Sequence, residues 1–102
     1  MQKNKNSLFK ERVQKTVRSI QKGKTLSYGE VAKRAGNPGA ARAVGTIMAN
    51  NFDKSIPCHR VIRAGGKIGR YNRGGAKQKT ALLEKEGVEI KAGSVIKQNN
   101  DF

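Results

Sequence analysis

The chain has 102 residues, with 22 Lys and Arg against 7 acids, a formal net charge of +15, one cysteine and one histidine. That length suits one domain with a thin core and excludes two. A single cysteine excludes an internal disulfide, and one Cys with one His falls short of a four-ligand structural zinc site. So large a positive excess attracts polyanions, nucleic acid first among them, because each neutralised phosphate releases a counterion.

No apolar run approaches the roughly 18 residues of a membrane span. Met1-Gln2-Lys3-Asn4-Lys5-Asn6 lacks the apolar core of a signal peptide. The expectation is a cytoplasmic, nucleoid-associated monomer without a membrane partner.

Residues 1–6 are polar and expected to be disordered. From Ser7 to Lys22 the apolar positions Leu8, Phe9, Val13, Val17 and Ile20 share one helical face. Asn6 or Ser7 can cap this helix and Gly23 end it. Ser27-Tyr28-Gly29-Glu30 has the capping-box spacing and predicts a short second helix, stopped at Gly36. Asn37-Pro38-Gly39 is a turn. A third helix is predicted over about Ala40–Asn50, with Val44, Ile47 and Met48 as its apolar stripe.

Helix, short glycine-containing turn, helix is the helix-turn-helix outline. Ala40, Ala41, Ala43 and Gly45 leave little bulk around Arg42. Such a surface suits close approach to another body, either a neighbouring helix or a duplex. Val61-Ile62 and Lys67-Ile68 about Gly65-Gly66 predict a hairpin. A fourth helix is expected over about Ala76–Glu86, ended by Gly87, and then a short strand Val88-Glu89-Ile90. The fold class is mainly α with a small β-hairpin, a single winged-helix-like helix-turn-helix domain over 7–91, followed by a flexible tail at 92–102.

Pro57-Cys58-His59-Arg60-Val61-Ile62 places the only thiol beside the only imidazole, with Arg60 and Arg63 adding positive charge. A thiol reacts as its thiolate, which a nearby base or positive field favours. In an extended segment neighbouring side chains diverge, so His59 needs a turn or a bridging water to serve Cys58. A carboxylate is wanted to fix the imidazole tautomer. Glu11, Glu30, Glu84 and Glu86 are all open candidates by spacing.

These residues resemble the 6-O-alkylguanine-DNA alkyltransferases. Leu26 to Ala32, Gly36-Asn37-Pro38 and Ala40-Ala41-Arg42-Ala43-Val44-Gly45 are similar to successive blocks of that family. Pro57 to Ile62 resembles its active-site motif. Gly69-x-Tyr71, Gly74-Gly75, Lys79 and Leu82-Leu83-x-x-Glu86-Gly87 resemble the blocks that follow. The resemblance spans roughly residues 8–90.

It implies double-stranded DNA containing alkylated guanine as partner, extrusion of the damaged base, and one irreversible transfer of the alkyl group to Cys58, with no cofactor and no metal. His59 would deprotonate Cys58 through a water, Glu86 would orient His59, and Asn51 would support this network. Tyr28, Ala40, Ala41, Arg42, Gly45 and Arg60 would meet DNA, with Tyr28 on the target phosphate and Arg42 filling the vacated stack. The small third-helix residues would enter the minor groove. Val61, Tyr71 and Asn72 would line the base pocket.

Full-length family members carry an N-terminal ribonuclease-H-like domain that has no counterpart in this sequence. Alkyltransferase-like proteins, which bind lesions and recruit other repair factors without transfer, also lack it. They commonly carry Trp where this chain keeps Cys58. The loop after Tyr71 is one residue longer than the family pattern, through Arg73.

Overall fold

The computed structural model describes residues 5–98. Four helices carry the fold: α1 (Lys5–Arg18), α2 (Tyr28–Arg34), α3 (Ala41–Ala49) and α4 (Gly75–Lys85). Four short strands join them: β1 (Leu26–Ser27), β2 (Val61–Ile62), β3 (Glu89–Lys91) and β4 (Ser94–Lys97). Among the described residues no helix is long and apolar enough to cross a membrane.

The apolar faces of α1, α2 and α3 meet in one core that contains Val13, Val17, Val31, Val44 and Met48. Cys58 and Val61, from the middle of the chain, complete this core. A second, smaller core of Ile62, Ile68, Leu83 and Val88 lies under α4 and is extended by Ile90 and Val95. With so few aromatics, branched aliphatics supply nearly all the apolar burial that opposes chain entropy.

Local chemistry sets the helix-turn-helix. Ser27 caps α2 by accepting from Glu30 N–H at 3.1 Å, and the Glu30 carboxylate accepts from Ser27 N–H at 2.9 Å. The capping box read from the sequence is therefore present. At the other end Gly36 adopts φ +94°, Asn37 N–H bonds Ala32 O and Gly36 N–H bonds Lys33 O. This pairing is a Schellman stop, and the left-handed residue at its centre favours glycine. The chain then re-enters helix at Ala41 with no side-chain cap.

Several boundaries and pairings differ from expectation. The first helix ends at Arg18, before Lys22. Ser19 and Ile20 leave the helical ladder through short bonds to Thr16 and Val17 carbonyls, which frees the Ile20 carbonyl for another partner. The expected 61–68 hairpin does not form as such. Val61–Ile62 pairs in parallel with Leu26–Ser27, because burying both residues requires a partner on the core side.

Gly65-Gly66 still turns the chain, closed by Arg63 N–H to Lys67 O at 2.8 Å, but Lys67 bridges to Ser94 instead. The tail expected to be flexible from residue 92 carries β4, antiparallel to β3. Its Val95 side chain packs on the second core, which gives the strand a reason to order. Lys5 and Asn6, expected to be disordered, lie in α1. Residues 1–4 and 99–102 of those two expectations fall outside the described residues.

Candidate active site

Cys58, His59 and Arg60 form one 3-10 turn after Pro57, not an extended run. Three residues per turn sends successive side chains about a third of a revolution apart. Cys58 is 4% exposed and forms part of the wall of a cleft of about 870 Å³. His59 points elsewhere, toward the end of α4, where its Nε2 lies 3.0 Å from Glu86 Oε2. Glu86 is thus the carboxylate that meets the imidazole, out of the four that spacing left open. No direct hydrogen bond joins the Cys58 thiol to His59 among the described residues.

Glu86 also receives Arg60, with Nε donating to Oε1 at 3.0 Å and Nη2 to Oε2 at 2.7 Å. Nη1 of the same guanidinium donates to the freed Ile20 carbonyl at 2.8 Å. Arg60 therefore does not stand on an outer, DNA-facing surface as expected. Its fork is consumed in a part-buried bidentate pair with Glu86 at the end of α4, and its remaining nitrogen ties the 58–60 turn to Ile20 beyond the end of α1.

Burial pushes the Glu86 carboxyl up. Hydrogen bonds from Arg60 and His59, with their charges, outweigh that and hold it below the ordinary carboxylate range. An ionised carboxylate only accepts, so Nε2 of His59 carries a proton. Nδ1 is the ring nitrogen left outside that pair.

Of the residues expected at the DNA side and the pocket, Tyr28, Ala41, Arg42, Gly45, Tyr71 and Asn72 line the Cys58 cleft. Ala40 sits one residue before α3 and packs on the main core. Val61 is wholly buried in that core, paired with Leu26, and is not among the residues lining the cleft. Asn51 is also displaced from its expected network. Its side chain accepts from Asp53 N–H at 3.2 Å and donates to Asp53 O at 3.3 Å, with neither Cys58 nor His59 as partner.

Asn72 shapes the cleft by closing the end of α3. Its amide donates to the carbonyls of Met48, Ala49 and Asn51 at 3.3, 2.9 and 2.7 Å. The Asn72 carbonyl oxygen is buried with no hydrogen-bond partner among the described residues.

Gly45 answers why α3 is so small. A Cβ built there would meet no atom within 4 Å, so no neighbouring helix demands the glycine. Val44 and Met48 face inward, while Arg42, Ala43 and Thr46 are exposed. A low-bulk helix surface that packs against nothing inside the molecule is open to a body outside it.

Lys79 has no role in the sequence reading beyond its place in a motif. It is 1% exposed, donates to Arg70 O at 3.2 Å and lies 5.8 Å above the Tyr28 ring. Burial lowers its pKa to about 8, against the upward pull of the Cys58 charge. Its position was legible as a cation four residues before Leu83 and seven before Glu86, on the inward face of α4. Tyr28 and Tyr71 are both raised by burial first and by Cys58 second, so each keeps its phenolic proton beside the thiol.

The arrangement defines a class: a helix-turn-helix DNA-binding domain with a buried thiol in the wall of a cleft beside its second helix. Residues 8–88 match the family model described as "6-O-methylguanine DNA methyltransferase, DNA binding domain", and the chain belongs to that family. It is 51% identical over 83 residues to a methylated-DNA–protein-cysteine methyltransferase of Methanothermobacter thermautotrophicus, covering 80% of this chain and 46% of the relative. To the mouse protein of the same name it is 44% identical over 84 residues, covering 81% and 40%. The chain thus spans less than half the length of these curated relatives.

Among solved structures, S. pombe Atl1 in complex with damaged DNA containing O6-carboxymethylguanine has a TM-score of 0.74 at 35% identity, over 89% of this chain and 83% of that one. Mycobacterium tuberculosis OGT in complex with DNA has a TM-score of 0.73 at 46% identity, over 84% and 51%.

Proposed function

We propose that this domain binds duplex DNA through α3 and removes the alkyl group from 6-O-alkylguanine by transferring it to Cys58. The observation that carries this reading is the cleft itself. It joins the thiol to an outward helix whose glycine serves no internal contact. DNA complexes of the two structural relatives, and the name of the curated ones, support the same direction.

A base inside the stack is out of reach of a thiol sunk in a cleft, so extrusion comes first and costs a few kcal/mol. Arg42 fills the space the base leaves, and Tyr28 presses on its phosphate. His59, held by Glu86, takes the Cys58 proton through a bridging water at Nδ1. Sulfur then attacks the alkyl carbon. The S–C bond forms as the C–O6 bond breaks, and the bonding electrons pass into the guanine ring, which gains a proton. Tyr71, still protonated, is a donor within the cleft. The thioether has no route back to thiolate, so each molecule acts once.

Incubation with a duplex containing 6-O-methylguanine, followed by intact-mass measurement, tests the proposal. One methyl on Cys58, absent in Cys58→Ser, is the expected result. A second reading is favoured by the likeness to S. pombe Atl1 in complex with damaged DNA, at a TM-score of 0.74. In it the domain holds the lesion without transfer. Selective binding of the modified duplex with no adduct would establish that reading, and no adduct together with equal binding of damaged and undamaged duplex would sink both.

A further inference from the structure

A second concavity of about 510 Å³ lies between the start of α2 and the β3–β4 hairpin. Ser27, Arg63 and Ala64 belong to the walls of both concavities, so one continuous trough runs from α3 past Tyr28 to β4. The added stretch is cationic, with Arg63 and Lys97 in its wall. Its one carboxylate, Glu30, accepts from Ser27 N–H in the α2 cap.

Both cations are carried on anchored backbone. Gly69 has φ +76°, and a Cβ there would fall 2.8 Å from Arg63 Cγ, so the Arg63 stem lies in the space that glycine leaves. The Arg63 charge also reaches the Tyr28 phenol, where it opposes the effect of burial. The hairpin is pinned by Ile68 N–H to Gly93 O at 3.0 Å and by Gln98 Nε2 to Thr25 Oγ1 at 2.9 Å. Lys97 lies beyond residue 88, where the family match ends.

We propose that Arg63 and Lys97 grip the phosphate backbone of the strand that carries the extruded nucleotide, with the hairpin as a cationic wing that lengthens the DNA interface past α3. This rests on the duplex-binding part of the function proposed above. Charge complementarity and direct continuity with the thiol cleft select duplex DNA as the occupant. A phosphate is the one anionic group a duplex presents repeatedly along such a trough.

The test is the salt dependence of binding to a 6-O-methylguanine duplex and to its undamaged counterpart. Arg63→Gln and Lys97→Gln should each reduce the slope of log K against log salt by about 0.9, alike on both duplexes. The double variant should lose the sum. Lys10→Gln on α1, outside the trough, should leave the slope in place. Unchanged slopes in the trough variants would overturn the inference. An equal change in Lys10→Gln would also overturn it, because net charge alone would then explain the effect. The mass assay on the unaltered protein keeps the two proposals apart. Transfer with unchanged slopes sinks the wing alone, and reduced slopes without transfer sink the chemistry alone.

Discussion

His59 Nε2 lies 3.0 Å from Glu86 Oε2 across 27 positions of sequence, and the same oxygen receives Arg60 at 2.7 Å. One carboxylate thus fixes the imidazole tautomer while a guanidinium fixes the carboxylate. Glu86→Gln keeps the shape and removes the charge. The amide can turn its NH₂ toward His59 and so favour the wrong tautomer.

The expected result is methyl transfer slowed on the order of 100-fold, read as a single-turnover rate. Arg60 would also lose its counter-charge at a cost of about 2 kcal/mol, read from urea midpoints. Because the folded carboxyl sits below its ordinary range, its contribution is present at neutral pH and lost as pH falls through the folded value. The variant should therefore show a shallower acid limb.

Gly45 makes the cost of a smooth α3 measurable. A helical glycine is less stable than alanine by about 0.5–1 kcal/mol, and here no contact inside the molecule repays that. Gly45→Ala should raise the melting temperature and weaken duplex binding at once. A stabilised variant with unaltered duplex affinity would show that α3 does not approach DNA closely.

Arg42 tests extrusion separately from chemistry. It is exposed at the rim of the cleft, and neither the thiol nor the His59–Glu86 pair depends on it. Arg42→Ala should impair transfer from duplex far more than transfer from the free base 6-O-methylguanine. Equal losses on the two substrates would remove its role as a wedge.

What was legible in the chain was what repeats locally. The Ser27–Glu30 cap, the Gly36 stop and the inward face of α3 follow from spacings of three or four residues, and the structure contains each. The adjacency of Cys58 and His59 was visible, but their divergence was not, since it depends on a 3-10 turn. Glu86 was one of four candidate carboxylates until α4 packed against that turn.

The family resemblance puts Arg60 at the DNA, and nothing near it in sequence signals otherwise, because its partner Glu86 lies 26 positions away. Two-residue strands carry no periodicity, so the β1–β2 pairing left no trace. Residues 94–97 are too short and too weakly patterned to announce a strand until the second core gives Val95 something to cover.

Lys79 leaves a signature in the alkaline range. Buried at 1% exposure over the Tyr28 ring, it has a folded pKa of about 8 against the ordinary 10.5. Below pH 8 the folded and unfolded chains both carry its proton, and the cost of burying the charge is fully present. Between those two values the unfolded chain holds the proton that the folded one has released, so stability rises with pH. That gap corresponds to about 3 kcal/mol, complete only above the unfolded value.

Lys79→Met replaces a buried ammonium with a chain of similar volume. It should be at least as stable as the unaltered protein at pH 7. Urea midpoints at pH 7, 8 and 9 should rise for the unaltered protein relative to the variant. Taking the difference cancels the general relief of self-repulsion, which both share. Parallel midpoints across that range would mean that Lys79 keeps its proton after all, and that the Arg70 carbonyl and the Tyr28 ring together compensate its burial.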